Sequence, residues 1–339
     1  MTTELPESGR GKVLVTGAAG YIGSVLVGQL LSAGYAVRGL DNLMFGGQGL
    51  LGWLHRPGFE FVEGDIRHPA TVKSALSGVD SVVHLAAIVG DPACRAEPAL
   101  ASAVNGDGAR LVAERAMEAG VRRFVFASTC SNYGKMPDPT GYVDESTPLN
   151  PVSLYAELKV AFEDFLFGLR QTHMGTVCLR FATVYGLSPR PRFDLTVNEF
   201  TRELTLGRKL EIYGEKFWRP YCHVVDLARA CVIAVEAPSA TVSHQAFNVG
   251  DTRENYQKKG LAELITAQLP EAAGLVSYVT RNEDPRDYRV RFGKIREALG
   301  FEITRRVPDG IHEIIEAIRS GLIADPDDRR YTNQRTVER

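Results

Sequence analysis

An apolar five-residue run, KVLVT at residues 12–16, passes without a linker into GAAGYIG at residues 17–23. Gly17, Gly20 and Gly23 stand at the mouth of a helical pattern, and few folds can use three glycines there. The chain must turn tightly out of a buried strand, and a missing side chain must let something approach the backbone. The helix that follows must also press closely on the strand. Its first N–H groups have no helical partner and offer themselves to an anion.

The remainder of the first half agrees with such a turn. YAVRGL (35–40), FEFVEGD (59–65), DSVVHLAA (80–87), RFVFAS (123–128) and TVCLRF (176–181) are short apolar runs separated by longer amphipathic segments. That alternation predicts βαβ units, and so an α/β, Rossmann-like doubly wound parallel sheet. Residues 98–119 and 151–169 have helical length, with Leu158, Phe162 and Phe165 at helical steps. Beyond residue 185 the texture changes to GLSPRPRFDL, followed by short, scattered strand candidates at 209–214, 245–250 and 276–280. The expectation is a cofactor-binding domain over 1–185, a smaller C-terminal mixed α/β lobe for substrate over 186–324, and a polar, frayed tail over 325–339.

Charge and composition exclude several functions. A formal charge of -2 with scattered arginines gives no field for nucleic acid. No apolar stretch approaches the roughly 20 residues of a membrane span, and MTTELPESGR lacks the order of a signal peptide, so a cytoplasmic protein is expected. The five cysteines show no paired spacing, which speaks against a disulfide framework or a metal site.

The residue at the end of the second strand chooses the ligand of the glycine turn. Asp41 lies 18 residues beyond Gly23, where a carboxylate bonds both hydroxyls of an adenosine ribose and repels a 2'-phosphate. NAD is therefore the expected cofactor. Tyr21 and Ile22 within the turn and Asn42 beside the acid belong to the same site. Asp65 with Ile66 after the third strand, and Leu85, Ala86 and Ala87 after the fourth, stand where adenine and the cofactor's middle would pass. Plain turn roles fit those residues equally well.

The fifth strand ends in a puzzle, ASTCSNYG, where a buried run gives way to hydroxyls, a thiol, an amide and a phenol. Downstream, Tyr155 and Lys159 in LYAELKV are neighbours on one helical face. A lysine so placed can lower a phenol's pKa and make it a proton acceptor, although such pairs also occur on ordinary surfaces. TGAAGYIG, Asp41, HLAA, ASTCSNYG and YAELK come in the order found in extended short-chain dehydrogenase/reductases. Over roughly residues 12–320 the chain resembles their nucleotide-sugar epimerase/dehydratase branch.

The resemblance implies roles. Thr129 would bond the sugar's C4 oxygen, Tyr155 would take its proton as hydride leaves for NAD, and Lys159 would tune Tyr155 and hold the nicotinamide ribose. Ser131 stands where dehydratases and decarboxylases carry an acid, and Cys130 where some dehydratases carry Asp. Cys130 is either core or a group acting at C3 or C5. In WRPYCHVVDLARA, Arg219 would grip a substrate phosphate, with Arg286 in EDPRDYRVR as the second such arginine and Arg289 as its rival. Thr183 replaces a usual Asn, and Asn198 in LTVNEF would sit near the sugar or its phosphates.

The implied activity is oxidation at C4 of a nucleotide-diphosphate hexose or heptose, as a 4-epimerase or a C4 dehydrogenase, with a homodimer formed through residues 98–119 and 153–170. A UDP-glucuronic acid decarboxylase and a 4-keto-sugar reductase share the first step or its reverse. A reductase of non-nucleotide carbonyls and an NAD-sensing binding protein are the distant alternatives.

Overall fold

The computed structural model describes residues 10–136, 138, 141–169, 172–279 and 286–333. Its strands are β1 (Lys12–Thr16), β2 (Ala36–Asp41), β3 (Phe59–Glu63), β4 (Ser81–His84), β5 (Arg123–Thr129), β6 (Gly175–Phe181), β7 (Thr183–Tyr185), β8 (Leu210–Tyr213), β9 (Trp218–His223), β10 (Gln245–Val249), β11 (Asn255–Gln257) and β12 (Val276–Val279). Seven of them form one sheet in the order β10-β6-β5-β4-β1-β2-β3. Every pair in it is parallel. Such strands are covered on both faces, which is why KVLVT and RFVFAST read as continuous apolar runs rather than alternating ones. All seven residues of β5 are buried.

The sheet has one strand more than the first half of the sequence supplies. QAFNVG, expected in the later lobe, contributes β10 at the sheet edge, with Ala246 opposite Cys178 and Val249 opposite Phe181. Helix Val224–Glu236 returns with it and packs on helix Tyr21–Ser32, where Gln29 donates to the Val225 carbonyl at 2.9 Å. Phe247 and Val249 are fully buried, which a place in the large sheet provides. The remaining strands make two small sheets, β11-β9-β7 and β12-β8. β7 and β9 pair with Thr183 opposite Tyr221, so the segment leaving β6 runs directly beside the one carrying Arg219.

Residues 325–333 also depart from expectation, since they dock rather than fray. Tyr331 sets its ring edge-on to Phe193 at 5.8 Å, and its carbonyl accepts from the Phe193 N–H at 2.7 Å. One aromatic ring and backbone pairing supply what missing aliphatics do not. The rest of the expected tail, and Thr280 of VSYVT, lie outside the described residues.

Candidate active site

The glycine turn has the geometry its sequence requires. Gly17 has φ +73°, and a Cβ there would stand 2.8 Å from the Ala86 nitrogen, so this glycine lets the turn and the loop after β4 touch. A Cβ on Gly23 would stand 2.1 Å from the Gly17 oxygen, which makes close packing of helix on turn conditional on glycine. Asp41 accepts from the Ala19 N–H at 3.0 Å and the Leu43 N–H at 2.8 Å. Burial raises its pKa, and those bonds together with Arg190 oppose the rise.

The loop after β4 is held by a residue that the sequence did not suggest. Asn105 accepts from the Ile88 N–H at 2.8 Å and donates to the Ile88 carbonyl at 2.9 Å. It lies in a π-helical stretch, Ala103–Gly108, inside the segment expected to be one regular helix. Asp65 is committed to Arg67 through bonds of 2.9 and 2.8 Å, which hold its carboxyl well below the usual range. Gly17, Gly20, Tyr21, Ile22, Gly23, Asp41, Asn42, Asp65, Ile66, Leu85, Ala86 and Ala87 all line one cavity of about 470 Å³.

Thr129, Ser131, Tyr155 and Lys159 line the same cavity. Thr129 ends β5 and accepts from the Ser131 N–H at 3.1 Å, which leaves its hydroxyl proton to offer. Lys159 donates to the Ala127 carbonyl at 2.7 Å and lies 4.5 Å from the Phe126 ring centre and 5.7 Å from that of Tyr155. Burial lowers its pKa to about 8, against the pull of Cys94 and Glu163. Tyr155 is pushed up, by burial first and then by Cys94 and Asp91. His84 accompanies them, bonded to Thr16 at 2.8 Å and held neutral by burial, which lowers its pKa to about 3.

The crowd of polar groups after β5 divides into two sets. Ser128 donates to Glu163, and Asn132 donates to both Ser128 and Glu163 at 3.1 Å. Arg180 closes the network with bonds of 2.7–3.2 Å to Glu163 and 3.1 Å to the Tyr133 hydroxyl. Cys130 lies outside the cavity lining, with its thiol directed to the Arg180 carbonyl at 3.2 Å and its pKa raised by burial. Ser131 points the other way, 3.4 Å from the Tyr288 hydroxyl.

At the far end Thr183, Arg219 and Arg286 line the cavity. Arg219 stacks over Tyr288 at 5.2 Å and donates to the Trp218 carbonyl at 2.7 Å. Arg286 is ion-paired with Asp91 at 2.6 Å, while its rival Arg289 stands between the Tyr142 and Trp218 rings and outside the lining. Asn198 is also outside it: the side chain accepts from the Gly186 N–H at 2.9 Å and donates to the Gly186 and Arg192 carbonyls at 3.1 and 2.8 Å. It braces the loop that supplies Arg190, Arg192 and Asp194, three lining residues given no role by the sequence reading. Two arginines flanking a proline in SPRPRFD were the available signal.

Among the described residues no cluster of His, Cys, Asp and Glu could hold a metal, and no helix is long and apolar enough to cross a membrane. The chain is 34% identical over 325 residues to a UDP-glucose 4-epimerase of Mycolicibacterium smegmatis, covering 91% of this chain and 99% of that one. It is 30% identical over 323 residues to a dTDP-glucose 4,6-dehydratase of an Actinoplanes species, covering 91% and 98%. Among solved structures, DesIV, a dTDP-glucose 4,6-dehydratase of Streptomyces venezuelae crystallised with NAD, matches with a TM-score of 0.82 at 27% identity, covering 93% and 99%. The model of the NAD dependent epimerase/dehydratase family matches residues 13–250, and the chain belongs to that family.

Proposed function

We propose that this protein oxidises C4 of a nucleotide-diphosphate hexose or heptose, and acts as a 4-epimerase or a C4 dehydrogenase. The observation that carries the reading is the meeting of Thr129, Tyr155 and Lys159 with the glycine turn at one end of a cavity and Arg219 and Arg286 at the other. The cradle suits NAD, because Gly17, Gly20 and Gly23 line it together with Asp41, the carboxylate at the end of β2 that would bond the adenosine ribose. NAD, when bound, accepts hydride from C4. Tyr155, as its phenolate, would take the O4 proton, while the Thr129 hydroxyl, with one lone pair already used by the Ser131 N–H, would donate a hydrogen bond to O4 and hold the sugar in place. Lys159 spends one donor on Ala127 and keeps two for the nicotinamide ribose and the tyrosine.

The acids available disfavour dehydration. Among the described residues four carboxylates line the cavity, Asp41, Asp65, Asp91 and Asp194. Asp65 and Asp194 are tied to Arg67 and Arg192, and Asp41 faces the ribose. Asp91 accepts from Ser153 at 2.7 Å and pairs with Arg286. That leaves Ser131, a weak acid without a basic partner, at the position where elimination needs a carboxyl group.

Arg219 and Arg286 suit the substrate's diphosphate, since a planar guanidinium meets phosphate oxygens bidentately. A second copy of the chain would dock on helix Leu154–Gly168 and its neighbour Ala109–Glu118, where Leu158 and Phe165 are only half-buried. Five buried free thiols suit a reducing, cytoplasmic setting.

The test is incubation with UDP-, GDP-, dTDP- and CDP-sugars, without and with added NAD, reading NADH absorbance and product mass. An isomer of unchanged mass means epimerase, and steady NADH with a ketone product means dehydrogenase. Loss of water or carbon dioxide, or no reaction with any nucleotide sugar, would overturn the proposal.

A further inference from the structure

The loop after β7 brings a buried cation to the cofactor end of the cavity, and among the described residues no carboxylate is bonded to it. Arg190 is 4% exposed. Its Nη2 donates to the Thr332 carbonyl at 3.3 Å, its guanidinium carbon lies 4.8 Å above the Phe45 ring, and its Nε has no hydrogen-bond partner. Its neighbour is different: Arg192 is matched bidentately to Asp194 at 2.9 and 2.7 Å. Among the described residues no carboxylate forms an ion pair with Arg190, and burial together with the Arg192 charge pulls its pKa down to about 10, against the smaller opposing pull of Asp194 and Asp41. A buried, unpaired guanidinium costs several kcal/mol unless an anion meets it.

The position tells which anion. The loop is fastened to the first turn of helix Tyr21–Ser32: the Tyr21 hydroxyl donates to the Gly186 carbonyl, and Ser188 donates to the Tyr21 carbonyl at 2.7 Å and meets Ser24 at 3.1 Å. The Arg190 N–H in turn donates to Ser188 at 3.2 Å. A Cβ built on Gly49 would stand 3.1 Å from the Ala19 oxygen and 3.2 Å from the Arg190 Cβ, so the arginine leaves the loop beside the glycine turn itself. Asp41 is near enough for the two charges to act on each other. Arg219 and Arg286 belong to other segments of the lining, around Tyr288 and Asp91.

We propose that Arg190 is a phosphate-binding residue of the dinucleotide site, a cation supplied by the substrate-side loop that neutralises the cofactor's diphosphate. A helix N-terminus and glycine N–H groups bear only partial charge. Arg190 adds a full one, on a side chain largely withdrawn from solvent. This inference rests on NAD as the ligand, but not on the chemistry at C4.

The test is binding with no sugar present. Dissociation constants of NADH, ADP-ribose, adenosine, NADPH and UDP are measured for the full chain, for Arg190→Gln and for Arg190→Lys. Arg190→Gln is expected to weaken NADH and ADP-ribose by about tenfold or more, and adenosine and UDP by less than about twofold. Arg190→Lys, which keeps the charge without the fork, should fall between, and it carries the comparison if circular dichroism shows the glutamine variant misfolded. NADH affinity unchanged in a folded variant would overturn the assignment. A loss confined to NADPH would move Arg190 to a 2'-phosphate, and a loss confined to UDP would move it to the substrate, and either result overturns it. ADP-ribose binding that depends on Arg190, in a protein that turns over no nucleotide sugar, would sink the proposed function and leave this inference standing.

Discussion

Cys130 adjoins Thr129 in the chain and faces away from it in space, and its orientation decides between chemistry and packing. A thiol bonded to the Arg180 carbonyl and raised in pKa by burial is no nucleophile. Cys130→Ala should therefore leave kcat within about twofold and cost roughly 1 kcal/mol of stability. Iodoacetamide should leave the native thiol unmodified by mass spectrometry, and rapid labelling would contradict this reading. Lys159 gives the opposite case, a buried group that lines the cavity and carries a role in the proposed function. Its folded pKa of about 8 lies below its ordinary 10.5, so the folded protein binds fewer protons than the unfolded chain between those values. The lysine's contribution to stability therefore rises with pH across that window. The charge that the proposed function asks Lys159 to place at the ribose is lost over the same range. Urea unfolding at about pH 7 and about pH 9.5 should show wild type gaining stability relative to Lys159→Met, while kcat falls along a limb centred near pH 8. A stability difference that does not change with pH would show that Lys159 titrates as if exposed.

The helix Leu154–Gly168 joins the cavity lining and the sheet in one rigid piece. Tyr155 and Lys159 face the cavity from its first turns, and Glu163, one turn further, reaches under β5 to Ser128, Asn132 and Arg180. The Glu163–Arg180 pair is nearly solvent-free, at 1% and 7% side-chain exposure. Removing one partner of such a pair leaves an uncompensated buried charge, so Glu163→Ala should cost about 3–5 kcal/mol in chemical denaturation. Adding Arg180→Met should recover part of that loss. Additive losses would show that the two charges do not depend on each other. The sequence displayed Tyr155 and Lys159 because their spacing is local to one helix. It hid the reason for Ser128 and Asn132, because Glu163 and Arg180 come from other elements and meet them only after the sheet has assembled. The strand candidate at 245–250 was visible for its apolar residues, but its place at the sheet edge was not, since a parallel partner can lie far along the chain. Asn105 and Arg190 escaped for a related reason, because each owes its role to a loop brought to it by the fold.

Three segments distant in sequence enclose the cofactor end of the cavity: the glycine turn, the loop 186–194 and the residues up to 333. The last of these is tied to the second at several points. Tyr331 accepts from Phe193 and sets its ring edge-on to it, Thr332 accepts from Arg190, and the Asn333 N–H donates to Asp194 at 3.1 Å. Further back, Arg208 forms a bidentate pair with Asp327. Asn333 itself lines the cavity, near Met44 and Phe45 on the other side of the cofactor end. A segment that reads as a polar tail thus spans from the loop 186–194 toward the loop that follows Asp41. Ending the chain after Asp328 removes every one of these contacts except the exposed pair at Asp327, which contributes about 1 kcal/mol or less. The catalytic helix and the large sheet are untouched by that change. The shortened protein should keep its circular dichroism spectrum, lower its melting temperature by a few degrees, and release NADH about tenfold faster in a displacement experiment. Adenosine should also bind more weakly, because the loss is of enclosure rather than of one charge. Arg190→Gln spares adenosine, so comparing the two variants separates the segment's enclosure from the arginine's charge. An unchanged release rate would mean that residues 329–333 rest on the loop without restraining it.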